Sequence, residues 1–227
     1  MRILVTGATG LVGTRLVTRL LERKHEVHVL SRNAARAEKK FQGQVRAFPW
    51  GSHRESPPAE AFRGVDVVFH LSGESVADGR WTATKKRAIE ESRVAGTRRL
   101  VETMSRLSEK PRVLVSTSAV GYYGFDAEKT FDENSDKGDG FLADVCERWE
   151  AEARQAERLG LRVAIVRVGV VLDPAGGVLG KMLPAFRAGV GGPLGSGRQW
   201  MSWIHVADLV ELYLFLAERP DARGVFN

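Results

Sequence analysis

The residues best placed to do chemistry come at the very start of the chain, in Thr6-Gly7-Ala8-Thr9-Gly10-Leu11-Val12-Gly13. Three glycines spaced by three follow a short apolar run and open a segment of helical periodicity. Such a turn lets backbone N–H groups approach a pyrophosphate, with the positive end of the helix dipole behind them. Side chains at Gly7 or Gly10 would obstruct that approach, while Gly13 lets helix and strand pack closely. Gly7, Gly10, Leu11, Val12 and Gly13 are therefore expected to line a dinucleotide pyrophosphate. A second apolar run ends Leu30-Ser31-Arg32. A site for NAD tends to place a carboxylate there for the ribose hydroxyls; a guanidinium and a hydroxyl would instead hold a 2′-phosphate. The pattern favours NADP(H), set by Arg32 with help from Ser31, against the plainer reading of Arg32 as a solvated charge.

Other chemistry-bearing residues are fewer. Cys146 is the one cysteine, which excludes an internal disulfide and a four-thiolate metal site. It would be a nucleophile only beside a base or a cation, and Arg148 at i+2 faces away on a helix. His205 has Asp208 three residues on, so the pair reads either as a base with its orienter or as a polar helix start. No group of His, Cys and Asp has metal-ligand spacing, so no metal is expected.

These residues need a scaffold, and apolar runs alternating with helical segments supply it. Arg2–Val5, Glu26–Leu30, Val45–Phe48, Val65–Leu71, Arg112–Ser116 and Leu161–Val168 read as strands buried on both faces. Leu11–Lys24, Trp81–Leu107, Asp144–Leu159 and Val206–Ala217 read as helices. The alternation predicts an α/β fold, a doubly wound parallel sheet of the Rossmann type with strand order 3-2-1-4-5-6. Gly121–Gly140 and Asp173–Trp203 read as loops at strand ends, where such folds keep ligand contacts. One domain over residues 1–227 is expected, with 173–205 contributing to a small substrate lobe built from C-terminal loops.

Composition bounds the function. The 227 residues are 43% hydrophobic and 27% charged, ordinary for a globular domain. The longest stretch without Asp, Glu, Lys or Arg is Val113 to Phe125, too short to span a bilayer as a helix. With no signal-peptide pattern at Met1, a cytoplasmic protein without a membrane partner is expected. The net charge is +6, yet residues 1–112 carry 22 Lys and Arg against 12 Asp and Glu. That excess suits an anionic ligand or solvated helix faces. No nucleic-acid motif accompanies it, and nucleic acid is not expected as a partner.

The glycine spacing resembles the extended and atypical branches of the short-chain dehydrogenase/reductase superfamily. Further segments sharpen the resemblance: Phe69-His70-Leu71-Ser72-Gly73-Glu74, Arg93-Val94-Ala95-Gly96-Thr97, Ser116-Thr117-Ser118-Ala119-Val120-Gly121-Tyr122-Tyr123-Gly124, Gly195-Ser196-Gly197-Arg198-Gln199-Trp200 and Trp203-Ile204-His205-Val206-Ala207-Asp208. Together they resemble the "epimerase family" of NADP-dependent oxidoreductases, also labelled nucleoside-diphosphate sugar epimerases. The resemblance covers essentially the whole chain, and its members continue beyond the equivalent of Asn227, which suggests a truncated chain here. It implies that Leu71, Ser72, Gly73, Arg93 and Val171 complete the cofactor site, with Arg93 standing where relatives have Asn.

Active superfamily members use a Tyr-x-x-x-Lys pair after the fifth strand. Here the matching positions are Leu142 and Cys146, or Phe141 and Val145 in a shifted register, and neither pair can move a proton. Ser118 stands at the place of the catalytic serine, to hold a substrate oxygen or only to satisfy nearby backbone. Tyr122 or Tyr123 is then the remaining phenolic acid nearby, or an aromatic packer. A tyrosine without a lysine beside it would be a poor base but still a proton donor, so reduction should be easier than oxidation. The expected function is an NADP(H)-dependent oxidoreductase or epimerase-like protein acting on a small carbonyl, alcohol or nucleotide-sugar-like substrate. A non-catalytic NADP(H)-binding sensor or scaffold is the alternative, and the oligomeric state stays open, a homodimer included.

Overall fold

The computed structural model describes residues 1–51, 54–193 and 195–227. Six Val-, Ile- and Leu-rich runs form β1 (Arg2–Thr6), β2 (Glu26–Ser31), β3 (Val45–Pro49), β4 (Val67–His70), β5 (Val113–Ala119) and β6 (Arg162–Val168). They lie in the order β3-β2-β1-β4-β5-β6, all parallel, as the alternation of elements requires. A seventh parallel strand, Gly224–Phe226, extends the edge beside β6. Nothing in the sequence marked it, since three residues carry no readable alternation.

Successive residues of the strands feed two different cores, which is why no strand shows polar alternation. Ile3 and Val5 pack with Leu16, Val17, Phe69, Val115, Leu209 and Tyr213 on one face. Leu4 packs with Phe48, Trp50, Phe62, Leu100, Met104, Leu114 and Ile165 on the other. The first face is covered by α1 (Leu11–Glu22) and the helix Val206–Glu218; the second by α3 (Ala83–Ser105) and α4 (Phe141–Arg154). Between α1 and α3, a short α2 (Ala34–Lys40) follows β2. No helix among the described residues is long and apolar enough to cross a membrane.

Asp173–Trp203 is not the continuous loop its glycines suggested. It opens on the end of a strand, β7 (Val170–Asp173), and holds an eleven-residue helix, α5 (Gly177–Arg187). It closes at β8 (Trp203–His205), which pairs parallel with β7 in a ribbon separate from the main sheet. Pro184 hid this helix, because proline inside a helix removes one backbone hydrogen bond. None of the helix's described side chains is buried, so it also lacks a core-facing stripe. Leu194, inside the stretch assigned to the substrate lobe, lies outside the described residues. The helix Val206–Glu218, here α6, starts on His205, whose Nδ1 accepts from the N–H of Ala207 at 3.3 Å. This is the polar helix start, and it occupies the ring nitrogen that a base would need.

Candidate cofactor crevice and substrate cavity

The glycine-rich turn joins β1 to α1 with almost no room to spare. Gly7 sits at φ +68°, and a Cβ there would lie 2.8 Å from the backbone carbonyl of Leu71. A Cβ at Gly13 would lie 2.3 Å from the oxygen of Gly7. Gly10 is the N-cap of α1 and offers no capping side chain, so the first N–H groups of that helix are left for an anion.

The opposite wall is fixed by a buried relay. Thr6 Oγ1 accepts from the N–H groups of Leu71 and Ser72, both at 3.1 Å. Its own proton therefore goes to Nδ1 of His70, 2.8 Å away, and His70 Nε2 donates to Thr97 Oγ1 at 2.8 Å. His70 is fully buried, and burial pushes its pKa down to about 4. An unfolded chain would protonate it near pH 6.5, so between about pH 6.5 and 4 the unfolded state binds more protons. His70 thus contributes stability that is present above pH 6.5 and is lost as the pH falls toward 4. The loss should approach about 3 kcal/mol by pH 4. Urea titrations across this range should show a steeper decline for the unmutated chain than for His70→Gln. Parallel declines would show that His70 titrates normally.

Between these walls is a crevice of about 380 Å³, lined by Gly7, Thr9, Gly10, Ser31, Arg32, Leu71, Ser72 and Gly73 among others. Ser72 Oγ is buried there without a hydrogen-bond partner among the described residues. A glycine cradle, free helix N–H groups, an orphaned hydroxyl and the cation of Arg32 fit the adenosine and pyrophosphate of a dinucleotide. Leu11 and Val12 begin α1 and are half-buried, Leu11 facing Gly176 and Gly177 and Val12 packing on the core. Val171 lies on β7, paired with Ile204 of β8 and packed on the same core. Arg93, expected to complete the cofactor site, has its guanidinium against Gly73 of the crevice wall. It donates to the carbonyls of Glu74 at 2.9 Å and Ile89 at 3.2 Å and lies over the Trp149 ring. Burial lowers its pKa, and it props the Gly73 wall from behind.

A larger cavity, about 690 Å³, opens at the carboxyl ends of β5 and β6. Val168, Gly169 and Val170 form one side; Tyr123, Phe125, Phe131, Trp200 and Trp203 give it an aromatic rim, to which Met201 adds a thioether. The chain crosses itself closely here: a Cβ at Gly169 would lie 2.6 Å from the oxygen of Ser202. Arg167 also lines this cavity and belongs to a buried network. Its Nε and Nη2 donate to the two oxygens of Glu150 at 2.8 and 2.9 Å, and its Nη1 donates to Tyr123 Oη at 2.8 Å. Tyr123 Oη donates in turn to Asn227 Oδ1 at 2.7 Å. The Arg167 guanidinium stacks over the Tyr122 ring at 3.4 Å. Burial alone would lower the Arg167 pKa, but the hydrogen bonds and charge of Glu150 outweigh it and hold the pKa raised.

Comparison with known proteins decides the family. The profile of the NAD dependent epimerase/dehydratase family matches residues 3–227. The chain belongs to this family. The epimerase family protein SDR39U1 homolog, chloroplastic, of Arabidopsis thaliana is 43% identical over 234 residues, covering 100% of the chain and 65% of the relative. The crystal structure of human epimerase family protein SDR39U1 (isoform 2) with NADPH superposes at TM-score 0.86 and 33% identity, covering 100% of the chain and 73% of the human one. The nucleoside-diphosphate sugar epimerase of Corynebacterium glutamicum superposes at 0.82 and 34% identity, covering 100% and 46%. The chain thus spans about two thirds of its Arabidopsis relative and less than half of the Corynebacterium one.

Within this epimerase-family fold, α4 carries Leu142 and Cys146 where the resemblance puts tyrosine and lysine. Cys146 is buried, and burial first, then the nearby Glu150 charge, push its thiol pKa up. It is an inert core residue. Ser118, expected to hold a substrate oxygen, donates instead to Glu150 Oε1 at 2.7 Å and is almost fully buried. Its hydroxyl is committed to the network because a buried carboxylate needs every donor it can reach. Of the two tyrosines, only Tyr123 lines the cavity; Tyr122 lies under Arg167. The network residues Glu150 and Arg167 escaped the sequence reading as a pair. They stand seventeen positions apart on different elements, α4 and β6, and no local spacing signals a contact of that kind.

Proposed function

We propose that the chain is an NADP(H)-dependent oxidoreductase of the epimerase family that acts on a small carbonyl or alcohol substrate in the cavity beside β6. Bound in the crevice, the nicotinamide group would supply or accept a hydride. Gly7, Gly10 and the first turn of α1 bind the pyrophosphate, and Arg32 with Ser31 takes the 2′-phosphate. Leu71 to Gly73 close the adenosine side, while Val171 stands on β7, beyond Gly169 and Val170. The aromatic rim would hold the substrate's apolar body. Tyr123, whose phenol donates to Asn227 Oδ1 at 2.7 Å in the unliganded cavity, would exchange that acceptor for a substrate oxygen, with Arg167 holding the phenol in place. The NADPH in the human relative supports the cofactor choice.

The observation that carries the chemistry is Tyr123 Oη on the cavity wall, hydrogen-bonded by a guanidinium at 2.8 Å. NADPH consumption should be measured with a panel of aldehydes and ketones, for the unmutated chain and Tyr123→Phe. Loss of one positioned proton donor is expected to lower the rate about 10²–10⁴-fold. An unchanged rate in Tyr123→Phe would remove Tyr123 from the mechanism. A second reading, an NADP(H)-binding sensor without turnover, is favoured by Leu142, Cys146 and the committed hydroxyl of Ser118. NADPH binding with no consumption across the panel would establish that reading instead.

A further inference from the structure

Three cations converge on one side of the glycine turn, and two of them have no assigned role. Arg32 ends the run after β2, and Arg36 and Lys40 follow at successive intervals of four. Asn33 fixes the start of α2 by accepting from the Arg36 N–H at 2.9 Å, so Arg36 and Lys40 share one helical face while Arg32 stands just before the helix. At the end of that face Lys40 reaches back to the turn. Its Nζ donates to the carbonyl of Thr9 at 3.0 Å and to Thr14 Oγ1 at 2.7 Å. Thr14 Oγ1 donates to the carbonyl of Gly10 at 2.6 Å, so Lys40 grips both limbs of the turn. Thr9 and Arg32 both line the cofactor crevice, which places the ammonium at its rim.

Among the described residues, no ion pair involves Arg32, Arg36 or Lys40. Other arginines of this region are paired: Arg2 with Glu26, Arg15 with Asp173, Arg19 and Arg23 with Glu211. Like charges held close without counter-charge oppose one another. Lys40 registers this, its pKa lowered by burial and then by the Arg36 charge. A cluster of that kind is stabilised when a dianion enters it.

We propose that Lys40, supported by Arg36, is a specificity-determining residue that completes with Arg32 a three-cation site for the 2′-phosphate of the cofactor. The proposal rests on the NADP(H) reading above and extends it to a residue on the other rim of the turn. It distinguishes neutralising a phosphate that only NADP(H) carries from merely bracing Thr9, which would serve any dinucleotide equally.

Isothermal titration of the full chain with NADPH, NADH, 2′,5′-ADP and 5′-AMP tests it without relying on turnover. The unmutated chain should prefer NADPH over NADH and 2′,5′-ADP over 5′-AMP; equal affinities would overturn the NADP(H) reading and the proposal with it. If that preference holds, Lys40→Met should weaken NADPH and 2′,5′-ADP at least 10-fold while changing NADH and 5′-AMP less than 3-fold. Lys40→Arg should restore most of the difference, and Arg36→Ala should show a smaller loss of the same selectivity. An equal loss on all four ligands in Lys40→Met would show that the lysine only braces the turn. No loss on any would show that Arg32 acts without it. Either result overturns the proposal while leaving the NADP(H) reading standing. Lys40 is exposed, so the variant should keep its melting temperature.

Discussion

Glu150→Ala is expected to destabilise the chain by about 3–5 kcal/mol, because it leaves the charge of Arg167 buried without its partner. Both side chains are about 3% exposed, and the pair is bidentate with oxygens 2.8 and 2.9 Å from the guanidinium. Ser118 would lose its acceptor at the same moment, adding an unsatisfied hydroxyl. Glu150→Gln keeps an acceptor for Ser118 but not the charge, and should fall between the two. Replacing both members, as in Glu150→Leu with Arg167→Met, should cost less than Glu150→Ala alone, since no uncompensated charge remains. Guanidinium denaturation of the four proteins gives the comparison. A cost under about 1 kcal/mol for Glu150→Ala would mean that solvent reaches the pair.

The glycine turn was legible because its constraint is local. Gly7, Gly10 and Gly13 declare a backbone geometry within eight residues, and the strand and helix around them confirm the context. The six strands were legible for a similar reason: Val, Ile and Leu runs buried on both faces leave no polar alternation to misread. What escaped was long-range or counter-propensity. The Glu150–Arg167 pair, the Thr6–His70–Thr97 relay and the reach of Lys40 to Thr9 all join elements distant in sequence, and their side chains taken singly look like solvated charges or core polar groups. Helix Gly177–Arg187 ran against propensity, with glycines at its start and a proline inside it. The stacking of Arg93 over Trp149 was hidden for the same long-range reason. Its Nη1 donates to the carbonyls of Glu74 and Ile89 as well.

Substitutions at two glycines of the same turn should separate folding from binding. Gly7→Ala is expected to damage both. It would force a side chain to φ +68°, costing about 1–2 kcal/mol, and would drive its Cβ to 2.8 Å from the Leu71 backbone. Relieving that contact adds about 1–3 kcal/mol of overpacking. The two walls would part, and the bonds from Leu71 and Ser72 to Thr6 would lengthen. Gly10→Ala differs because the only atom a Cβ would crowd is the oxygen of Gly7, at 3.3 Å, and Gly10 itself faces the crevice. That methyl group occupies space a pyrophosphate would need against the start of α1. The expected result is a melting temperature within a few degrees of the unmutated chain, about 2–4 °C per kcal/mol for a chain of this size, with NADPH affinity reduced by about two orders of magnitude. Thermal unfolding and NADPH titration of both variants supply the measurements. Undiminished NADPH binding by a folded Gly10→Ala protein would show that the phosphates lie elsewhere, and the crevice would lose its assignment as the cofactor site.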